Sequence, residues 1–411
     1  MQHAQIVKNL TGGGLRHSLL GIIHNYAEKI KRKRTVVLNE EFLVLQTIAI
    51  LSVVIGHSKE GSFSFLSNWF PIYSYHMPLF VFISGYFYRI NAEEKILSFV
   101  LRKVKTLLLP YFLWRIVYAV ITTLLLNANI IAYGKPFSLY NFFVDPWVHE
   151  DSFILMLPAW FVPALFCVQV VFVLFRKLFR LFHFKNEIVF LFLFLMVGLI
   201  GVYATQVLWK TGTPYGIVST PIRVAFFLAF YQLGFYYKNH LENRIPKNYL
   251  FYFGVIFFVQ MCLLKCFPSL EFGVSHLSFP KFILLPYLSS FTGIAFWLGV
   301  SKILARALKG NRIIRYIGQN TWAIMMHQFF VFFIINFFIW IFSSPLHLSG
   351  FDLRQFQLNV EYTYSPGLPQ FAIIYVVAGV ALPLLAKYGV ERLILHIDTK
   401  RTIRLNSKPL N

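Results

Sequence analysis

The chain reads as an all-α polytopic membrane protein, a bundle of about ten transmembrane helices with cytoplasmic N- and C-termini, on three observations. Of its 411 residues 57% are hydrophobic, 19% aromatic and only 13% charged, proportions unlike those of a soluble domain. Apolar runs of about twenty residues recur along it, each long enough to cross a hydrocarbon core about 30 Å thick. The 38 Lys and Arg alternate with those runs as the positive-inside rule requires.

The runs predict spans at 41–58, 70–88, 106–126, 158–175, 187–207, 218–237, 248–267, 281–300, 316–342 and 370–386. Asn39 offers the first an N-cap, and Glu40 and Glu41 fall in its first turn, where the helix dipole favours acids. With the N-terminus inside, the leading tail and every even connection should be basic. They are, and 30 of the 38 cations fall on that side. Topology therefore accounts for the net charge of +22, and no nucleic-acid partner is required. The Lys29, Lys31, Arg32, Lys33 and Arg34 cluster suits anionic membrane lipids, at about 1 kcal/mol per charge near the surface.

The expected organisation is a basic cytoplasmic tail at 1–38, a membrane domain at 39–395 and a second basic cytoplasmic tail at 396–411. The N-terminus shows no short apolar core with a small-residue cleavage site, so a removed signal peptide is not expected. Cys167, Cys262 and Cys266 lie in apolar runs and read as buried thiols. Metal binding is not expected, since no zinc-ligand spacing occurs, and neither a P-loop nor a GxSxG elbow is present. Two outer connections, 127–157 with Trp147, His149, Glu150 and Asp151, and 343–369 with His347, Asp352, Arg354 and Glu361, suit either sugar stacking and hydroxyl bonding or an interfacial aromatic belt.

Ionisable groups inside spans are functional candidates, because hydrocarbon leaves them a partner or a cavity as the alternatives. They are His57, His76, Arg115, Arg223 and His327. By helical rise His57 lies about 24 Å above the inner end of its span, His76 about 9 Å below the outer surface and His327 about 18 Å up. The three depths overlap and allow a shared polar pocket. Each histidine also has a structural alternative: an interfacial bond for His57, a proline-freed carbonyl beside Pro78 for His76, a neighbouring helix for His327. Arg115 and Arg223 could snorkel to headgroups or face a cavity. Phe226, Phe227 and Phe230 read as lipid-facing or packing surface.

Six segments carry a family likeness: Ala49 to His57; Tyr75-His76-Met77-Pro78-Leu79-Phe80 through Ser84-Gly85-Tyr86; Leu107 to Trp114; Ala159-Trp160-Phe161-Val162-Pro163 through Phe166; Leu233-Gly234-Phe235; and Ile317-Gly318-Gln319-Asn320-Thr321 leading to His327. In order and spacing they resemble the acyltransferase family 3 integral membrane O-acyltransferases, in the branch similar to fucose 4-O-acetylases. The resemblance implies a ten-helix enzyme of the cytoplasmic (inner) membrane, bacterial in type. It would move an acetyl group from acetyl-CoA, its acyl donor, to a hydroxyl of a cell-envelope or exported polysaccharide or its lipid-linked precursor.

It further implies His57, His76 and His327 as catalytic, with His57 as general base, since an imidazole of unperturbed pKa about 6.5 suits proton abstraction from a hydroxyl. His76 or His327 would orient that base, polarise the thioester or carry the acetyl group. Gln46, Trp160 and Asn320, with Arg115 and Arg223, form the expected substrate-binding set. Where the family commonly has Arg or Lys eleven residues before the first histidine, and Asp three before that, this chain has Gln46 and Leu43. A transporter or flippase of a lipid-linked sugar, or a catalytically inactive descendant, are the alternative readings.

Overall fold

The computed structural model describes residues 24, 26–28, 30, 39–58, 68–149, 153–183, 186–212, 216–244, 248–343, 350–366 and 368–406. The basic cluster at 29–34 apart from Ile30, and Lys59, Glu150, Asp151 and His347, lie outside them. The described residues are almost entirely helical, and their sole extended pairing is a bridge between Gly273 and Ser278. Nine helices among them are long and apolar enough to cross a membrane, so the protein is a polytopic helical membrane protein.

The elements in order are α1 (Glu40–His57), α2 (His76–Tyr86), α3 (Ile96–Lys103), α4 (Leu109–Asn127), α5 (Leu139–Phe143), α6 (Asp145–Val148), α7 (Phe161–Leu181), α8 (Glu187–Lys210), α9 (Ser219–Tyr236), α10 (Tyr249–Cys266), α11 (Leu285–Ala307), α12 (Arg312–Gln319), α13 (Thr321–Ser343), α14 (Leu353–Leu358) and α15 (Ala372–Asn406). Their starts are written in the sequence. Asn186, Asn248 and Asn311 cap α8, α10 and α12 by accepting backbone N–H groups, and Asp352 caps α14. A π turn at Val104–Leu108 joins α3 to α4 just ahead of Pro110, whose missing N–H a regular ladder could not accommodate.

The span expected at 70–88 is not one helix. Pro71 leads a 3-10 turn, Ile72–Ser74, and α2 then runs for 11 residues, about 16 Å at 1.5 Å per residue. Pro78 falls in its first turn, where the lost N–H matters least, and the carbonyl of Ser74 that it leaves free accepts from Ser290 Oγ at 2.8 Å.

Two compact units emerge. The larger is Glu40–Val380; the smaller pairs Met1–Asn39 with Ala381–Asn411, and within its described part His24 Nδ1 meets Asp398 Oδ1 at 2.8 Å. The larger unit is centred on α2 and α9. A Cβ on Gly85 would come within 1.9 Å of the Tyr231 carbonyl oxygen, and one on Gly234 within 2.0 Å of that of Phe82. Glycine at both positions lets the two backbones touch, the close approach that small residues give membrane helices. Phe226, Phe227 and Phe230 are fully buried around this crossing and belong to packing, not to a lipid face. Glu93 and Glu187 clasp Arg176 at 2.7 Å each, a buried network tying α7 and α8 to the segment after α2.

The outward faces stay apolar. Leu250 is 85% exposed and Phe258 63%, the side-chain pattern of a helix bathed in lipid. Cys262 and Cys266 share that surface and are exposed, while Cys167 is half-buried; the expectation of three buried thiols is corrected for two. The described parts of the 127–157 and 343–369 connections pack as domain structure. Ala132 N donates to Gln357 O at 2.8 Å, and Phe351, Phe356, Tyr362 and Tyr364 form ring contacts with one another and with Trp340, which favours packing over sugar stacking for these aromatics.

Candidate active site

Helices α1 and α2 carry two cavities, one toward each end. At the His57 end a cavity of about 390 Å³ is lined by Val53, His57, Tyr73, His76, Trp160 and Met325, together with Glu271 to His276 and Ser278. His57 closes α1 and His76 opens α2. Tyr73 sits between them: its hydroxyl donates to Gly56 O at 3.1 Å and its ring packs edge-on against His76 at 5.2 Å.

The two imidazoles differ in what they present. His76 Nδ1 lies 2.7 Å from Ile72 O. A carbonyl can only accept, so Nδ1 carries the hydrogen and neutral His76 keeps a lone pair at Nε2. His57 packs against Phe329 at 4.7 Å between ring centroids, beside the Gln328 carboxamide. The Gln328 side chain is thus placed as a hydrogen-bonding neighbour of the His57 ring.

A hairpin forms the facing wall. Gly273 and Ser278 exchange two backbone hydrogen bonds of 2.8 Å, and Leu277 closes the turn at φ 54°. Phe272, Val274 and Leu277 are buried, with Phe226 packed on Phe272 and Phe279. Glu271, Ser275, His276 and Ser278 therefore stand on a rigid frame. Reading the sequence alone missed this segment. Its one signal was polar residues between two spans, which an ordinary loop also gives.

Arg223 is buried and fastens the wall from behind. Its guanidinium donates to His149 O at 3.0 Å and Ser275 O at 2.5 Å and lies 5.1 Å from the Trp160 ring, a cation–π distance. Arg223 neither snorkels nor lines the cavity; it holds two connections against α9. Arg115 does the same elsewhere. It is fully buried, donating to Phe142 O and Tyr111 Oη at 2.9 Å each and to Asn141 O. Arg115 lines neither cavity; these oxygens satisfy its fork of donors inside the protein and make it a clamp between α4 and α5.

His327 stands apart from His57 and His76. Its Nδ1 meets Tyr118 Oη at 2.7 Å, its ring packs on Trp114 at 4.3 Å, and it does not line the histidine cavity. Asn320 occupies the junction of α12 and α13, donating to Tyr316 O at 2.7 Å, and lines neither cavity.

The second cavity, about 340 Å³, lies at the Gln46 end and is lined by Gln46, Ser84, Arg89, Arg102, Lys103 and Gln169, among others. Gln46 is about 16 Å from His57 along α1. On α2 the cavities come closer: Phe80 lines one and Ile83 the other, one helical turn apart. Gln169 is buried and its Oε1 lacks a hydrogen bond. Leu43 is buried against α12, where Gly318 approaches its carbonyl, and Glu40 pairs with Arg315 at 2.7 Å. Neither residue reaches this cavity.

Compared with known proteins, the chain matches the acyltransferase domain family, acyltransferase 3, over residues 39–388. The chain belongs to that family. No curated protein and no solved structure gives a significant match. Membership in the acyltransferase 3 family makes this an acyl-transferring membrane protein of a type that acts on carbohydrates, and it covers both cavities and all eight residues singled out from the sequence.

Proposed function

We propose that this acyltransferase is an O-acetyltransferase. It takes acetyl from acetyl-CoA and delivers it to a hydroxyl of a cell-envelope or exported polysaccharide, or of its lipid-linked precursor. The observation that carries the reading is the pairing of a histidine cavity with a basic cavity on the same two helices, one turn of α2 apart. Acyl transfer from a coenzyme thioester calls for both: cations for phosphates, and a proton acceptor for the hydroxyl.

The basic cavity would take the donor. Arg89, Arg102 and Lys103 supply charge-assisted donors for phosphate oxygens, and the buried, unbonded Oε1 of Gln169 suits an amide N–H of the pantetheine arm. The three cations also bear on Gln46. They put positive charge into the cavity where the motif's usual Arg or Lys is missing. The arm would then pass between Phe80 and Ile83 and bring the thioester to the histidines.

At that end, an imidazole lone pair takes the hydroxyl proton as the oxygen attacks the thioester carbonyl, forming the C–O bond. The tetrahedral intermediate breaks its C–S bond, and the departing thiolate receives the proton from the imidazolium. His57 is the proposed base. His76, with its hydrogen committed to Ile72 O, offers an acceptor at Nε2. It fits holding the hydroxyl hydrogen or relaying a proton, and not polarising a carbonyl, which needs a donor. The six-segment likeness supports the fucose 4-O-acetylase-like branch, and the basic connections support cytoplasmic termini in a bacterial inner membrane.

The test compares envelope glycans from cells with and without the chain by mass spectrometry, before and after mild alkali. An alkali-labile acetyl that depends on the chain, and is lost with His57→Ala at equal expression, is the expected result. Unchanged glycans beside chain-dependent movement of a lipid-linked sugar would favour a flippase; unchanged glycans and no acetyl-CoA binding would favour an inactive descendant.

A further inference from the structure

Among the described residues lining the histidine cavity, Glu271 is the one Asp, Glu, Lys or Arg. We infer that the Glu271–Ser278 hairpin is the acceptor-selecting element of the site, and that Glu271 makes it select neutral polyhydroxyl sugars over uronates. The inference rests on the acetyl-transfer reading above and adds the charge class of its acceptor.

Geometry supports it first. The hairpin is locked by two backbone bonds, by the buried anchors Phe272, Val274 and Leu277, and by Arg223 on Ser275 O. Its exit is pinned as well, since Gln206 Nε2 donates to Pro280 O and Lys281 O at 3.0 Å each. Polar side chains on a pre-organised frame recognise hydroxyls at little ordering cost. Glu271 itself remains exposed, with its backbone N–H bonded to Ser269 Oγ, so the frame does not use its carboxylate.

Charge supports it second. The two terminal amino groups of Arg223 donate to the backbone carbonyls of His149 and Ser275, and Arg223 does not line the cavity. A carboxylate at the mouth of a partly closed, low-dielectric cavity accepts hydrogen bonds from sugar hydroxyls and repels a second carboxylate. The opposite cavity has the reverse sign, with Arg89, Arg102 and Lys103. Anionic donor and neutral acceptor would thus be sorted to their own ends before they meet.

The experiment uses the full chain in proteoliposomes with radiolabelled acetyl-CoA and a matched panel of octyl hexosides and octyl hexuronides as acceptors. The wild-type protein should prefer the neutral partner of a pair by about tenfold or more in kcat/KM. Glu271→Gln should bring that ratio near parity, chiefly by lowering KM for the hexuronide, while the KM for acetyl-CoA stays put. Glu271→Asp should restore the preference, and Ser275→Ala, which removes a hydroxyl and no charge, should leave it intact. Transfer with an unchanged ratio in Glu271→Gln overturns the charge selection and leaves acetyl transfer standing. Absence of transfer to every acceptor by the wild type overturns both.

Discussion

The two cavities share α1 and α2 yet are built in opposite styles. The histidine cavity sets the imidazoles of His57, His76 and His276 and the Glu271 carboxylate among otherwise apolar or neutral walls, and Arg223 behind it is turned away to hold backbone. The basic cavity leaves Arg89, Arg102 and Lys103 facing its space. The difference teaches that a buried arginine in a membrane domain need not be a ligand group. What decides is whether backbone carbonyls already occupy its donors. Arg115 and the two terminal amino groups of Arg223 are occupied; the three cations at the Gln46 end line open volume.

Variants can break this contrast. His57→Ala should have the largest effect, lowering acetyl transfer about a hundred- to ten-thousand-fold, the usual worth of a general base, with KM for acetyl-CoA nearly unchanged in a steady-state membrane assay. Activity within tenfold of wild type would remove His57 as the base. The double change Arg102→Ala with Lys103→Ala should act on the other end, raising KM for acetyl-CoA about ten- to a hundredfold, as loss of charge-assisted bonds would. Added salt should weaken the wild-type donor affinity in the same direction; donor binding indifferent to both would empty the basic cavity of its role.

Smaller effects sharpen the boundary. Arg223→Lys keeps the charge but not the fork that serves His149 O and Ser275 O together. Transfer should fall about tenfold through the acceptor, with donor KM constant, and a change confined to donor KM would contradict the clamp. Removing the His327 bond to Tyr118 by His327→Ala should cost about fivefold or less, the worth of one neutral hydrogen bond. A loss as deep as that of His57→Ala would bring His327 into the chemistry after all. Gly85→Ala is the control on the scaffold: its Cβ would meet the Tyr231 carbonyl at 1.9 Å. The overpacking should lower stability by about 1–3 kcal/mol or more, read as a reduced melting temperature in detergent, and should impair both cavities together.

Motif glycines were visible in the sequence as part of a pattern, but their purpose was not. Gly85 and Gly234 lie about 150 residues apart and explain each other only once α2 and α9 cross. The candidate site divides in the same way. His57 and His76 were legible as polar groups in apolar runs, because hydrocarbon makes such groups rare. Glu271 and His276 were not, because a polar residue between spans carries no such signal. Depth along a helix placed His327 beside the other two histidines, and only azimuth separated it: it faces Tyr118 and Trp114.

By itself, then, the sequence determined the all-helical membrane class, nearly every span, and the histidine pair, since hydropathy, charge placement and helix caps are local and additive along the chain. Tertiary structure alone decided the broken span at 70–88, the clamp roles of Arg115 and Arg223, the hairpin over the histidines and the gathering of Arg89, Arg102 and Lys103 with Gln46 and Gln169 around one cavity. Those depend on which helix faces meet and which carbonyls satisfy which donors, and neither quantity is carried by any one stretch of residues.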